Sequence, residues 1–189
     1  MHALTGNTPT DHHLVNQVLR GDAQAFSAIV RNTEALVAQI VCRMVKHVED
    51  RKDLVQEIYL KAYQHLPGFR FRSKLSTWVG QIAYHTCINY LEKKKLLLPG
   101  DSGETALPDT EPPAAFLSRK ELAGILQAAI ERLPPVQQTI ISLYHQQECS
   151  YDEITQITGL PAGTVKSYLF RARRALRDHL LLQYKKEEL

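Results

Sequence analysis

Apolar residues recur every three or four positions through most of the chain, which is the spacing of one face of an α-helix. In the first half they form three such series: Leu36, Ile40 and Met44, then Leu54, Ile58, Ala62 and Leu66, then Trp78, Ile82 and Cys87. No segment shows a convincing alternation of β-branched and polar residues, which would indicate half-buried strands. The pattern therefore predicts an all-α fold.

The helical pattern breaks between residues 97 and 113, where the sequence reads LLPGDSGETALPDTEPP. This segment is rich in proline, glycine and acidic residues, and it has no apolar period, so it predicts a flexible linker. It separates a helical segment at residues 12–96 from a second at residues 114–183. No repeat of solenoid length is evident. We therefore expect two small helical domains joined by a flexible linker.

The segment from Ser150 to Pro161, SYDEITQITGLP, contains the start and stop signals of a short helix followed by a tight turn. Ser150 and Glu153 form the pattern of a capping box, in which each side chain bonds the backbone N–H of the other. Gly159 suits the left-handed residue that ends a helix, and Pro161 suits the first turn of the next one. The segment predicts a helix, a turn and a second helix.

The second helix has one apolar face, formed by Val165, Leu169, Ala172 and Leu176. That period predicts an outward face of Lys166, Ser167, Phe170, Arg171, Arg173 and Arg174. In a helix-turn-helix the second helix lies in the major groove of DNA, while nearby cations contact phosphates. The alternative is a solvated surface helix. Phe170 could lie in the core or contact a thymine methyl group or a sugar.

Charge supports the DNA interpretation by its distribution. The 189 residues carry a net charge of only +3, which is weak evidence by itself. Between residues 164 and 186, however, seven lysines and arginines face a single aspartate, Asp178. This concentration favours binding of a polyanion.

Cysteine usage and hydropathy indicate where the protein works. Cys42, Cys87 and Cys149 are odd in number and far apart, so they predict neither a disulfide framework nor a metal site, and we expect them to be buried. No stretch approaches the roughly 20 apolar residues that span a bilayer. We expect a cytoplasmic protein with no membrane insertion and no cofactor.

The first helical segment carries two candidate surfaces. Residues 53–66 bury one apolar face and turn a mixed acidic and apolar face elsewhere, which is either a solvated surface or a protein interface. Residues 67–95 interleave aromatic residues with arginine and lysine, a mixture that suits unpaired bases and their phosphates. Trp78 lies on the inward period, so we expect it to be structural, whereas packing explains the loop from Phe69 to Lys74 less easily.

Four segments together resemble the bacterial sigma factors of the extracytoplasmic-function group, which carry only regions 2 and 4: DLVQEIYLKAY, LSTWVGQIAYHTCINYL, LPPVQQTIISLY and SYDEITQITGLPAGTVKSYLFRARRALR. They occur in the family order and cover nearly the whole chain past Asp11. The resemblance implies that residues 12–96 are region 2, which binds core RNA polymerase and melts the minus-ten element. It also implies that residues 114–183 are region 4, which reads the minus-35 element.

The resemblance also implies partners and site residues. The partners would be the β′ clamp helices and β flap of core polymerase, promoter DNA and an anti-sigma factor. The polymerase-binding residues would be Asp53, Gln56, Glu57, Leu60 and Lys61. The minus-ten residues would be Phe69, Arg70, Phe71, Ser73, Lys74, His85, Thr86 and Asn89, and the minus-35 residues are those of the outward face described above. His85 stands where many relatives have asparagine, and Gly80-Gln81 replaces a bulky residue and an arginine, so base preference does not carry over.

Two other functions remain as alternatives. A regulator with a sensing or dimerising first domain would explain the helix-turn-helix but not the motifs of residues 53–95. A helical enzyme would need a set of mutually placed catalytic groups. The sequence lacks an HExxH zinc motif, Cys/His ligand spacing, a glycine-rich phosphate loop and a nucleophile elbow. We therefore expect no catalytic activity.

Overall fold

The computed structural model describes residues 9–97 and 119–186, and every regular element in these ranges is helical. The α-helices are α1 (Pro9–Leu19), α2 (Ala23–Met44), α3 (Val48–His65), α4 (Leu75–Leu97), α5 (Arg119–Glu131), α6 (Pro135–His145), α7 (Tyr151–Thr158) and α8 (Ala162–Lys186). A 3-10 turn at Leu66–Gly68 follows α3. The all-α prediction is confirmed.

Domain 1 comprises α1 to α4, with α4 packed across both α2 and α3. Helix α2 begins where the Asp22 side chain accepts hydrogen bonds from the backbone N–H groups of Gln24 and Ala25, at 2.8 and 3.2 Å. These bonds satisfy donors that have no partner within the helix. Ile40 in α2 and Ile58 in α3 are fully buried, as their apolar period predicts.

Domain 2 comprises α5 to α8, and its last two helices form the predicted helix-turn-helix. The capping box is present: Ser150 N–H donates to Glu153 at 2.8 Å, and Glu153 N–H donates to Ser150 Oγ at 3.2 Å. Gly159 ends α7 with φ at +71°. Pro161 lies just before α8 rather than inside its first turn, because its carbonyl accepts the N–H of Val165 at 3.0 Å. The four inward residues predicted for the second helix are all buried.

The two domains pack directly against each other, α2 on α6 and α4 on α7. One cluster of buried apolar side chains runs through both domains. At Gly80 of α4 an added Cβ would lie 3.2 Å from Leu36 Cδ2 and 3.3 Å from Ile157 Cδ1 of α7. The missing side chain therefore lets α7 approach α4 closely. The domain boundaries remain predictions, and of the predicted linker only residue 97, the last of α4, lies within the described residues.

His12 and His13 lie in α1, because the helix begins at Pro9. One expectation about the cysteines was wrong. Cys87 and Cys149 are buried as expected, and burial raises the pKa of each thiol to about 12. Cys42 is instead exposed. None of the described helices is both long and apolar enough to cross a membrane.

Candidate nucleic-acid and protein interfaces

The outward face of α8 matches its prediction: Lys166, Ser167, Phe170, Arg171, Arg173 and Arg174 are all exposed. Phe170 is 65% exposed, which decides between its two interpretations in favour of a surface residue. A shallow groove is lined by all of these residues except Arg173. The face offers cations and one aromatic ring to a ligand, without an acidic residue in the groove lining.

Arg173 is tied to α6 rather than directed into that groove. Its guanidinium carbon lies 5.0 Å from the centre of the Tyr144 ring, and its Nε donates to His145 Nε2 at 3.4 Å. Burial and the nearby positive charge of Arg173 lower the pKa of His145. Arg174 lies 3.7 Å from Asp178 one turn further on. Arg171 is therefore better placed than Arg173 to reach a base.

The loop from Phe69 to Lys74 brings together exposed cations and a half-buried ring. Arg70 and Arg72 are exposed, while Phe71 and Ser73 are half-buried. Phe71 has φ at +54°, an uncommon conformation for a residue with a side chain. A cleft beside the loop is lined by Phe69, Arg70, Arg72, Ser73, Trp78, Gln81 and, from domain 2, Gln156. An extended strand of unpaired bases would find charge and aromatic surface here.

Two of the predicted minus-ten residues, Phe69 and Thr86, are almost fully buried. Phe69 is only 8% exposed because its ring packs on Trp78, with centroids 5.0 Å apart. Thr86 is 4% exposed and its hydroxyl accepts a hydrogen bond from Lys61 Nζ at 3.3 Å. Both residues therefore pack beneath the predicted minus-ten surface. Trp78 is half-buried and packs against two clusters of buried apolar side chains, the one that runs through both domains and a second within domain 1, as expected of a structural residue.

Domain 2 covers part of the predicted minus-ten surface. Lys74 Nζ lies 2.6 Å from Glu153 Oε1, with the two side chains 19% and 14% exposed. His85 is exposed, but a Cβ added to Gly159 would lie 3.7 Å from its ring. Asn89 of the same helix is exposed. The turn of the helix-turn-helix thus sits beside the surface predicted to bind the melted strand.

The predicted polymerase-binding residues share one face of α3. Asp53, Gln56, Glu57 and Leu60 are exposed, and Lys61 is half-buried in an ion pair with Glu57 at 2.6 Å. Leu60 is 57% exposed, and Tyr63, which the sequence did not single out, is 51% exposed one turn further on. Its position three residues after Leu60 was the signal that could have identified it. Acidic and apolar groups side by side suit a protein partner more than DNA.

No group of three or more histidine, cysteine, aspartate or glutamate side chains is placed to hold a metal ion in the described ranges. The functional groups are spread over three surfaces instead. A helix-turn-helix with a cationic outward face in domain 2, a cationic and aromatic loop in domain 1, and an acidic and apolar face on α3 together form the arrangement expected of a transcription factor of the sigma type.

Comparison with known proteins supports the same class of protein. The family model described as sigma-70 region 2 matches residues 29–96, and that described as sigma-70 region 4 matches residues 123–176. The chain is 36% identical over 177 residues to the ECF RNA polymerase sigma-E factor of Escherichia coli K12, covering 88% of this chain and 92% of that one. It is 32% identical over 176 residues to the RNA polymerase sigma-H factor of Pseudomonas aeruginosa, covering 88% and 91%. The chain belongs to the extracytoplasmic-function sigma factors, the initiation factors that direct core RNA polymerase to specific promoters.

Solved structures show the same fold. CnrH in complex with the cytosolic domain of CnrY matches with a TM-score of 0.65 at 20% identity, covering 90% of this chain and 97% of that one. The sigma factor RpoE of Bartonella quintana, solved with the anti-sigma factor NepR, matches with a TM-score of 0.66 at 22% identity, covering 84% and 98%.

Proposed function

We propose that three surfaces of this chain divide the work of promoter recognition. The exposed face of α3 around Glu57 and Leu60 binds core polymerase. The loop around Arg70 and Arg72, with α4, holds the melted minus-ten strand. The outward face of α8, with Arg171 at its centre, reads the minus-35 duplex. The observation that carries this assignment is that cations are exposed on two separate elements, beside the exposed Phe170 on α8 and beside the half-buried Phe71 in the loop, while the acidic and apolar face lies on a third.

The electrostatic difference between the surfaces supports this division. Arg70, Arg72 and Arg171 are exposed and can release counterions from phosphates. The α3 face presents Asp53 and Glu57, which would repel a phosphate backbone. Leu60 adds exposed apolar area that a protein partner could bury. Each surface thus suits a different ligand.

Promoter binding by both domains requires the domains to separate. The minus-ten and minus-35 elements lie about 25 base pairs apart, or roughly 85 Å along B-form DNA at 3.4 Å per step. Helices α4 and α7 are in direct contact here, and Lys74 is paired with Glu153. This packed arrangement therefore belongs to the chain away from promoter DNA.

We also propose that an anti-sigma factor holds this chain inactive. We further propose that this chain works in the cytoplasm and has no catalytic activity. Support comes from the Bartonella neighbour, which was solved with an anti-sigma factor. A protein that occupied both the α3 face and the α8 face would block polymerase and DNA together.

The test is reconstitution with core polymerase. The wild-type chain should co-elute with core enzyme and give specific transcripts. Arg171→Ala should keep holoenzyme formation but lose discrimination at minus-35 positions, whereas Arg72→Ala should lower strand opening. Arg132→Ala, in domain 2 outside the three surfaces, is the matched control. If Arg171→Ala and Arg72→Ala both behave as the control does, the assignment of the two DNA surfaces is wrong.

A further inference from the structure

The loop that carries Arg70 and Arg72 is connected to α1 at two points. Asp11 Oδ2 accepts a hydrogen bond from the backbone N–H of Leu75, the first residue of α4, at 3.2 Å. His12 stacks on Phe71 with ring centroids 3.7 Å apart and an angle of 15° between the planes. These adjacent residues of α1 thus contact the middle and the end of the loop, some 60 residues further along the chain.

The loop needs such contacts because its conformation is unfavourable by itself. Phe71 has φ at +54°, a strained conformation for a residue with a side chain, and such a conformation persists only where surrounding contacts impose it. The ring is held on both sides, since Phe69 lies 4.8 Å from it on the core side and His12 stacks on it from α1. A continuous series of ring contacts therefore runs from α1 through Phe71 and Phe69 to Trp78 of α4.

The contact to Leu75 acts on the other end of the loop. The first N–H groups of a helix have no partner within the helix. A negatively charged side chain near them is also stabilised by the positive end of the helix dipole. Leu75 lies in this first turn, and Asp11 supplies the acceptor for its N–H group. The start of α4, and with it the point where the loop ends, is thereby fixed to α1.

We propose that Asp11 and His12 are positioning residues that hold the minus-ten loop in the conformation that accepts the melted strand. This inference rests on the proposed role of the loop. It assigns to α1 a part in promoter opening, although α1 need not touch DNA.

The test uses the full chain with two variants and their conservative counterparts. Asp11→Ala removes the acceptor, while Asp11→Asn retains one. His12→Ala removes the stacked ring, while His12→Phe restores it. His13→Ala, an exposed neighbour on the same helix, is the matched control. Two quantities are measured: hydrogen exchange of the loop and the start of α4 in the free protein, and the rate of strand opening by holoenzyme.

For Asp11→Ala we expect about fivefold faster exchange at Leu75, equivalent to the loss of a helix cap of about 1 kcal/mol. For His12→Ala we expect strand opening to slow about two- to tenfold, from the loss of one aromatic contact. The conservative variants should restore both quantities. Affinity for core polymerase should not change, because the α3 face is untouched.

The outcomes separate the two claims. If exchange in the loop is the same in wild type, Asp11→Ala and His12→Ala, α1 does not hold the loop and this inference fails. If exchange rises in both variants but strand opening is unaffected, the loop is held by α1 but does not bind the melted strand, so the proposed function of the loop fails. If His12→Phe does not restore opening, stacking is not the reason for the effect and the inference is again wrong.

Discussion

Replacing Glu153 with glutamine should weaken the contact between the two domains without unfolding either of them. Glu153 has two roles: it accepts a bond from Ser150 N–H in the capping box, and it pairs with Lys74 of domain 1. Glutamine can fill the same place in a capping box. The variant therefore keeps the start of α7 and removes only the negative charge opposite Lys74.

The size of the effect follows from the position of the pair. Exposed ion pairs contribute about 0–1 kcal/mol, and breaking a fully buried one costs about 3–5 kcal/mol. Lys74 and Glu153 lie between these limits, with side chains 19% and 14% exposed. A hydrogen bond from the Lys74 ammonium group to the side-chain carbonyl oxygen of glutamine would remain. We expect a loss of about 1–2 kcal/mol, which shifts the equilibrium between packed and separated domains by about 5- to 30-fold.

The pKa of Glu153 decides at which pH the variant should be compared with wild type. Burial acts to raise its pKa, but the hydrogen bonds from Lys74 and Ser150 outweigh burial and hold the pKa below the ordinary value of 4.5. A carboxylate with a lowered pKa contributes its stabilisation above the ordinary value, and that contribution is lost as the pH falls through the lowered pKa. The full effect of Glu153→Gln is therefore present at neutral pH.

Energy transfer between dyes attached to exposed residues of α1 and α8 measures the separated population directly. Glu153→Gln should increase that population, and it should raise the affinity of the free chain for minus-ten single strands, because Lys74 becomes accessible. Asp152→Asn, an exposed acid in the same turn of α7, is the control and should change neither. If both variants show the same dye separation as wild type, the ion pair does not hold the domains together.

Three further predictions concern the proposed surfaces. The double variant Asp53→Lys, Glu57→Lys should abolish co-elution with core polymerase while circular dichroism shows unchanged helicity; unchanged affinity would remove α3 from the polymerase interface. Arg171→Ala should relax base preference at a minus-35 position by about 1–3 kcal/mol, whereas Arg174→Ala should weaken binding to all sequences and reduce the salt slope by about one. If both variants keep the base profile, the affinity and the salt dependence of wild type, α8 is a solvated helix. His85→Asn should change the preferred minus-ten base, measured by transcription from promoters varied at each position, and identical profiles would place His85 outside the base pocket.

The helix-turn-helix could be predicted from the sequence because its determinants are local. The capping box joins residues three positions apart, Gly159 ends α7 through its own backbone conformation, and the inward period of α8 repeats within the helix. These features depend little on the rest of the chain. The predicted outward residues are exposed for the same reason.

Contacts between distant residues could not be predicted in this way. The pairing of Lys74 with Glu153 and the bond from Leu75 to Asp11 join residues more than 60 positions apart. The burial of Phe69 depends on its packing against Trp78, and composition alone made it look like a base-stacking residue. Gly80 was noted as a departure from relatives, but only the structure shows that Ile157 of domain 2 packs where its side chain would be.

The central claim is that this chain directs core polymerase to promoters through two separate DNA surfaces. The most direct measurement is transcription by core polymerase and the purified chain on a library with random sequence upstream of a fixed reporter. We expect starts enriched downstream of two short shared motifs, near minus 35 and minus ten, with Arg171→Ala erasing preference in the upstream motif only. Transcription without any enriched motif, or no transcription above that of core enzyme alone, would contradict the claim.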